Sequence, residues 1–188
     1  TFSSNGTTSN GGFNFGFGTT NPFIPANAQT YYYVCQPHVT MGMKAVIIAN
    51  SLPTNGCMDS MATNFNPNAT IDDSSCVYNV TFNVDMSCED STTYSTVSLE
   101  SPYYNWCGGC IDMTDPDGDF IFSVNVDIPT SFEYKYAVDN FAGQEYLIDD
   151  MVNGASCAPI TDYSSYANRL FNFSGILSTS DTYGSCDA

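Results

Sequence analysis

The chain carries one histidine, His38, and eight cysteines. A nucleophile–base pair of the hydrolase kind needs an imidazole beside its nucleophile, and His38 is grouped with Cys35 and Met43 instead. Paired carboxylates can run glycosidase chemistry, but Glu89, Glu100, Glu133 and Glu145 sit in no recognisable motif. Cys107 and Cys110 form a C-x-x-C within Trp-Cys-Gly-Gly-Cys. In redox proteins such a motif opens a helix, whereas Asp112, Asp115, Pro116, Asp117 and Gly118 read as a turn. A structural disulfide is therefore favoured over redox catalysis, and no enzyme is expected. Asp115, Asp117 and Asp119 offer spaced oxygen ligands for calcium but lack the bidentate Glu of an EF-hand. A hairpin turn is the plainer reading of that loop.

The elements that must position these groups are strands. Phe13, Phe15 and Phe17 alternate with Asn14 and Gly16, which is strand periodicity with one aromatic face. Strands are also expected at 30–35, 44–49, 78–85, 94–99, 119–127, 131–138 and 168–173, separated by Gly, Pro, Asp and Asn turns. The expected fold is all-β: two immunoglobulin-like, Greek-key β-sandwiches, the first incomplete, joined by a small disulfide-closed loop. The expected divisions are 1–50, 51–77 and 78–188. Aromatic residues make up 14% of the chain, enough to build a core despite the charge.

That charge limits the partners. Lys and Arg total 3 against 20 Asp and Glu, for a net charge of −17. Nucleic-acid binding needs cations to release phosphate counterions, and an anionic membrane would repel this chain. Cations, neutral glycans and other copies of the chain remain suitable. No apolar run reaches the roughly 20 residues of a membrane span, so no membrane insertion is expected. The cysteines lack the paired knuckles and His partners of zinc sites and point to an oxidising compartment. The chain starts at Thr1 with no leader. It reads as a processed, secreted protein, extracellular or at the cell surface.

The stretch Cys35-Gln36-Pro37-His38-Val39-Thr40-Met41-Gly42-Met43 resembles the copper-ligand loop of small blue copper proteins of the plastocyanin and pseudoazurin type. The flanking Tyr31-Tyr32-Tyr33 and Ala45-Val46-Ile47-Ile48 strands match as well. The resemblance implies that Cys35, His38 and Met43 would be thiolate, imidazole and axial thioether ligands, and soft sulfur with imidazole suits copper. A type 1 site takes two His ligands, and this sequence has one. A three-coordinate Cu(I) site or a relict loop without metal are the two outcomes open to it. The resemblance covers roughly residues 13–49, the last strands of a cupredoxin sandwich. A sandwich of those strands alone exposes ladder edges, so a strand from another chain could complete it. Phe13, Phe15 and Phe17 are spaced as such a donor strand, or as an ordinary strand of their own domain. Head-to-tail donation that does not close would give a filament.

Gly56-Cys57-Met58-Asp59, followed by Ala62-Thr63-Asn64-Phe65-Asn66-Pro67-Asn68-Ala69 and Asp72-Asp73-Ser74-Ser75-Cys76, resembles a short repeat of secreted multidomain proteins from Bacteroidetes and marine algae. A Cys57–Cys76 disulfide is expected to close it, with its acids read as solvated turn acids before calcium ligands. Residues 78–188 resemble a secreted β-domain that follows such repeats. More distantly they resemble the glycogen- and starch-binding modules of branching enzymes and of the AMP-activated kinase β subunit. That resemblance implies a sugar site at Trp106, preceded by Asn105, and at Lys135, with Phe141 where a second Trp usually stands. A second expected disulfide is Cys157–Cys186. Sequons occur at Asn5, Asn68, Asn79 and Asn172, usable on strands only where they face outward. No cofactor is required; copper and calcium are the candidates. The leading expectation is a non-enzymatic extracellular assembly subunit, with a carbohydrate-binding module and a copper-binding fragment as alternatives.

Overall fold

Alternation of apolar and polar residues sets which face of each strand is buried. The computed structural model describes residues 27–34 and 36–187 and is all-β apart from a few short helical turns. The chain divides into two compact units, Thr1–Pro53 and Thr54–Ala188.

In the first unit β1 (Gln29–Val34) and β2 (Lys44–Ala49) pair antiparallel, with Tyr32 opposite Val46 and Thr30 opposite Ile48. A 3-10 helix, Gln36–Met41, and Gly42 at φ 82° connect them. Val46 and Ile48 are exposed. A two-stranded ribbon is marginal in water unless something covers a face. Phe13, Phe15, Phe17, Cys35 and the Asn5 sequon lie outside the described residues.

The second unit contains β3 (Asn55–Gly56), β4 (Ile71–Asp72), β5 (Val77–Asp85), β6 (Val97–Glu100), β7 (Asp112–Met113), β8 (Ile121–Pro129), β9 (Ser131–Val138), β10 (Gly143–Gln144), α1 (Ile148–Val152), β11 (Ile160–Thr161), β12 (Ala167–Asn172) and β13 (Asp181–Thr182). One sheet runs β11-β12-β9-β6-β7, with β10 also on β9, and the other runs β13-β5-β8. Thr130 alone separates β8 from β9 and takes the chain from one sheet to the other. Tyr78, Val80, Phe82 and Val84 of β5 are buried while the residues between them are not. They share a core with Phe132, Tyr134 and Tyr136 of β9. The Phe82 ring lies 5.5 Å from Phe132 and 4.9 Å from Tyr134. Aromatic pairs at such distances add to the stabilisation from burial alone.

Three disulfides staple this unit: Cys57–Cys76, Cys107–Cys110 and Cys157–Cys186. The two pairings expected from sequence are both formed. Cys57, Ala62 and Cys76 belong to the same core as β5, so the closed loop packs against the sandwich. Its acids act as turn acceptors: Asp59 Oδ1 takes the Met61 N–H, Asp72 Oδ1 the Ser74 N–H and Asp73 Oδ1 the Ser75 N–H. Replacing both Cys57 and Cys76 by Ala is expected to cost about 3 kcal/mol through the freed chain. Urea unfolding followed by circular dichroism measures this as a lower midpoint.

A buried ion cluster closes one end of the sandwich. Arg169 on β12 is 2% exposed. Its Nη2 lies 2.8 Å from Glu145 Oε2 and its Nη1 3.3 Å from Asp181 Oδ1 on β13. Nη2 also donates to the carbonyls of Thr182 and Ser185. One guanidinium thus ties the last strand of one sheet to the other sheet.

Candidate functional site

The outward face of the larger sheet is the unusual part of the molecule. An ordinary sandwich strand is wet on its outer side, but all four residues of β6 are buried. Val97 and Leu99 point into the core, so Ser98 and Glu100 point outward and are covered by something else. The cover is the loop 101–110. Ser101 starts it, accepting the Tyr103 N–H at 3.1 Å and donating to the Glu133 carbonyl at 2.6 Å. Asn105 and Trp106 then adopt left-handed backbone at φ 60° and 50°, conformations that cost non-glycine residues energy. The Cys107–Cys110 bridge follows.

Glu100 holds this loop down. Its carboxylate is fully buried and accepts the Gly109 N–H at 2.7 Å, the Gly108 N–H at 3.0 Å and the Ser98 hydroxyl at 2.8 Å. Hydrogen bonds to an ionised acceptor are the strong ones. The facing turn, Asp139-Asn140-Phe141, is also left-handed throughout, at φ 51°, 56° and 73°. The two loops touch so closely that a β-carbon on Gly109 would collide with the Asn140 side-chain oxygen. The outcome is that Trp106 and Phe141 meet, ring centroids 6.2 Å apart and inclined by 67°. Both rings remain partly exposed.

Lys135 sits opposite Glu100 in the β6–β9 register. It is only 6% exposed, and its ammonium donates to Gln144 Oε1 at 2.8 Å. Burial holds its pKa below the usual lysine value, against the pull of Glu145 and Glu133. Of the residues expected at the sugar site, the structure therefore brings Trp106 and Phe141 together and sets Lys135 beneath the surface.

Asn168 is a residue that sequence reasoning missed here. It follows the Arg169–Tyr134 pair by one step toward Lys135, on the outward side. Its Nδ2 donates to Glu133 Oε1 at 2.7 Å, and its Oδ1 is buried with no partner. Buried acceptors are almost always satisfied, and this one lies beneath the surface without a donor among the described residues. Only the strand register reveals it; a lone Asn in a predicted strand carries no such signal.

The other candidates are placed as follows. The carboxylates of Asp115, Asp117 and Asp119 lie within 4.8 Å of one another. Asp115 spends its oxygens on the N–H groups of Gly118, Asp119 and Phe120, and Asp119 accepts the Ile121 N–H. Those bonds make a turn leading into β8. In the first unit His38 lies in the 3-10 helix and Met43 is 54% exposed. The donors in this sequence are one imidazole short of a type 1 copper set, so they do not fit that group. Asn68, Asn79 and Asn172 are exposed; Asn79 Nδ2 donates to Asp127 Oδ1. No helix among the described residues is long and apolar enough to cross a membrane. Three disulfides fit an oxidising environment.

No family model, no curated protein and no solved structure matches this chain.

Proposed function

We propose that this chain is a secreted, non-catalytic protein whose second unit binds a neutral carbohydrate at the Trp106–Phe141 pair. The observation that carries the reading is the convergence of those two rings from separate loops, both held in left-handed backbone. Flat aromatic faces cover the apolar side of a sugar ring, and a few polar groups orient it. A chain of net charge −17 repels acidic polysaccharides and leaves neutral ones. Trp106→Ala is expected to abolish binding on a glycan array, and a wild type that binds no glycan overturns the reading.

A second reading is assembly with other copies into a filament or surface layer, one chain's strand completing another's sheet. It is favoured by the β1–β2 ribbon, where Val46 and Ile48 are 50% and 68% exposed on one face. The calcium and copper candidates have no part in either reading. Val46→Asp together with Ile48→Asp is expected to convert fibrils or oligomers seen by negative-stain microscopy into monomers. A wild type that elutes as a stable monomer ends this reading.

A further inference from the structure

We propose that Glu100 is the positioning residue of the Trp106–Phe141 pair, acting through the Cys107–Cys110 loop. The inference rests on the carbohydrate reading for its purpose, though not for its geometry.

In a chain with 20 acidic residues, the surface is where a carboxylate is cheapest, and Glu100 is 0% exposed. A buried carboxylate needs its acceptor capacity filled. All three groups that fill this one belong to a single task. Ser98 is its own strand neighbour, and Gly108 and Gly109 are the two residues inside the disulfide ring. The disulfide shapes the ring, but nothing in a bridge between neighbouring cysteines fixes that ring to the sheet. Glu100 fixes Gly108 and Gly109 themselves, beside the backbone bonds from Leu99 to Ile111 and from Trp106 to Ser101 at the loop's two sides. Gly109 then lies against Asn140 without room for a side chain, which sets the distance between the Trp106 loop and the Phe141 turn. The carboxylate touches neither ring, so its effect on binding would run through the loop.

Trp106 is the single tryptophan among 13 tyrosines, so fluorescence excited at the red edge, where tyrosine does not absorb, reports this loop. In Glu100→Ala the disulfide ring loses the acceptor that holds Gly108 and Gly109. The expected results are a red-shifted Trp106 emission, stronger quenching by acrylamide, and glycan affinity weakened about tenfold. The near-ultraviolet tyrosine signal of the core should persist. Glu100→Gln keeps the shape but turns an N–H₂ toward one glycine N–H, and should give a smaller shift of the same sign. If Glu100→Ala fails to fold, Glu100→Gln, which keeps the side-chain shape, carries the test alone. Emission and quenching unchanged from wild type in a folded Glu100→Ala, or in Glu100→Gln where the alanine variant does not fold, overturn the proposal. A wild type that binds no glycan, beside a Glu100→Ala whose Trp106 emission moves, supports the positioning role and removes the carbohydrate reading alone.

Discussion

Arg169→Met should unfold the second unit under conditions in which the wild type is native. The guanidinium is 2% exposed and makes two contacts to Glu145 through Nε and one at 2.8 Å through Nη2. It also contacts Asp181 and two carbonyls near the carboxyl end. The neighbouring carboxylates hold its pKa above the usual value against the opposing effect of burial, so it is a fixed positive charge. Methionine fills much the same volume and removes the charge. Glu145 would then be a buried carboxylate without its hydrogen-bonded cation, the nearby Lys135 ammonium being bound to Gln144. Removing one partner of a buried pair typically costs about 3–5 kcal/mol, out of a total stability on the order of 5–15 kcal/mol. Tm should fall by roughly 10–20 °C.

The mechanism separates from simple loss of packing in a double variant. With Glu145→Leu added, the stranded charge is gone, and part of the stability should return. A double variant no more stable than Arg169→Met alone would mean that the cost lies in the other lost bonds, those of Arg169 to Asp181 and the Thr182 and Ser185 carbonyls and that of the Tyr136 N–H to Glu145. The same cycle reads the coupling energy directly. Among the three cations of the chain, Arg169 is the one whose loss should release the last strand.

Much of this frame was legible as periodicity. The alternation of Tyr78 to Asp85 and the run 131–138 correspond to β5 and β9 within a residue. Strands buried on one face announce themselves that way. What failed to show was the second layer of burial. Ser98, Glu100 and Lys135 are polar residues on an outward face, and local pattern predicts them wet. Ser98 and Glu100 are dry because the loop that follows them folds back onto the Glu100 carboxylate, and Lys135 is tied instead to Gln144 of β10; neither contact is announced by a local period. Hence the resemblance led to a sugar-facing Lys135, while its ammonium is bound to Gln144. Trp106 and Phe141 were legible as residue types, but their meeting depends on two left-handed turns with no shared motif. The two-residue strands β10 and β13 are too short to show a period at all.

Alkali should unfold the protein through its tyrosines. Tyr136 is fully buried and donates to Asp181 Oδ2 at 2.7 Å; Tyr134 donates to the same oxygen at 3.0 Å. Burial pushes both phenols well above their ordinary value of 10.0, and the Asp181 charge pushes the same way. Tyr183 is raised too, chiefly by burial. A raised folded pKa means that the folded state keeps its proton where the unfolded chain gives it up. The stability these groups contribute is whole below about pH 10, the unfolded value, and is lost as pH climbs through and beyond it. Above that point each buried phenol should cost about 1.4 kcal/mol per pH unit until its folded pKa is reached. Tyrosinate absorbance and far-ultraviolet circular dichroism, followed together, should show a late ionisation step that coincides with loss of sheet signal. A Tyr134→Phe, Tyr136→Phe double variant should lose stability less steeply over the same range, because two of the coupled protons are absent. A late tyrosinate step completed while the sheet signal stays intact would mean that these phenols can ionise in place. The Asp181 cluster would then have to open to water without the sandwich coming apart, and Arg169 could not be its lock.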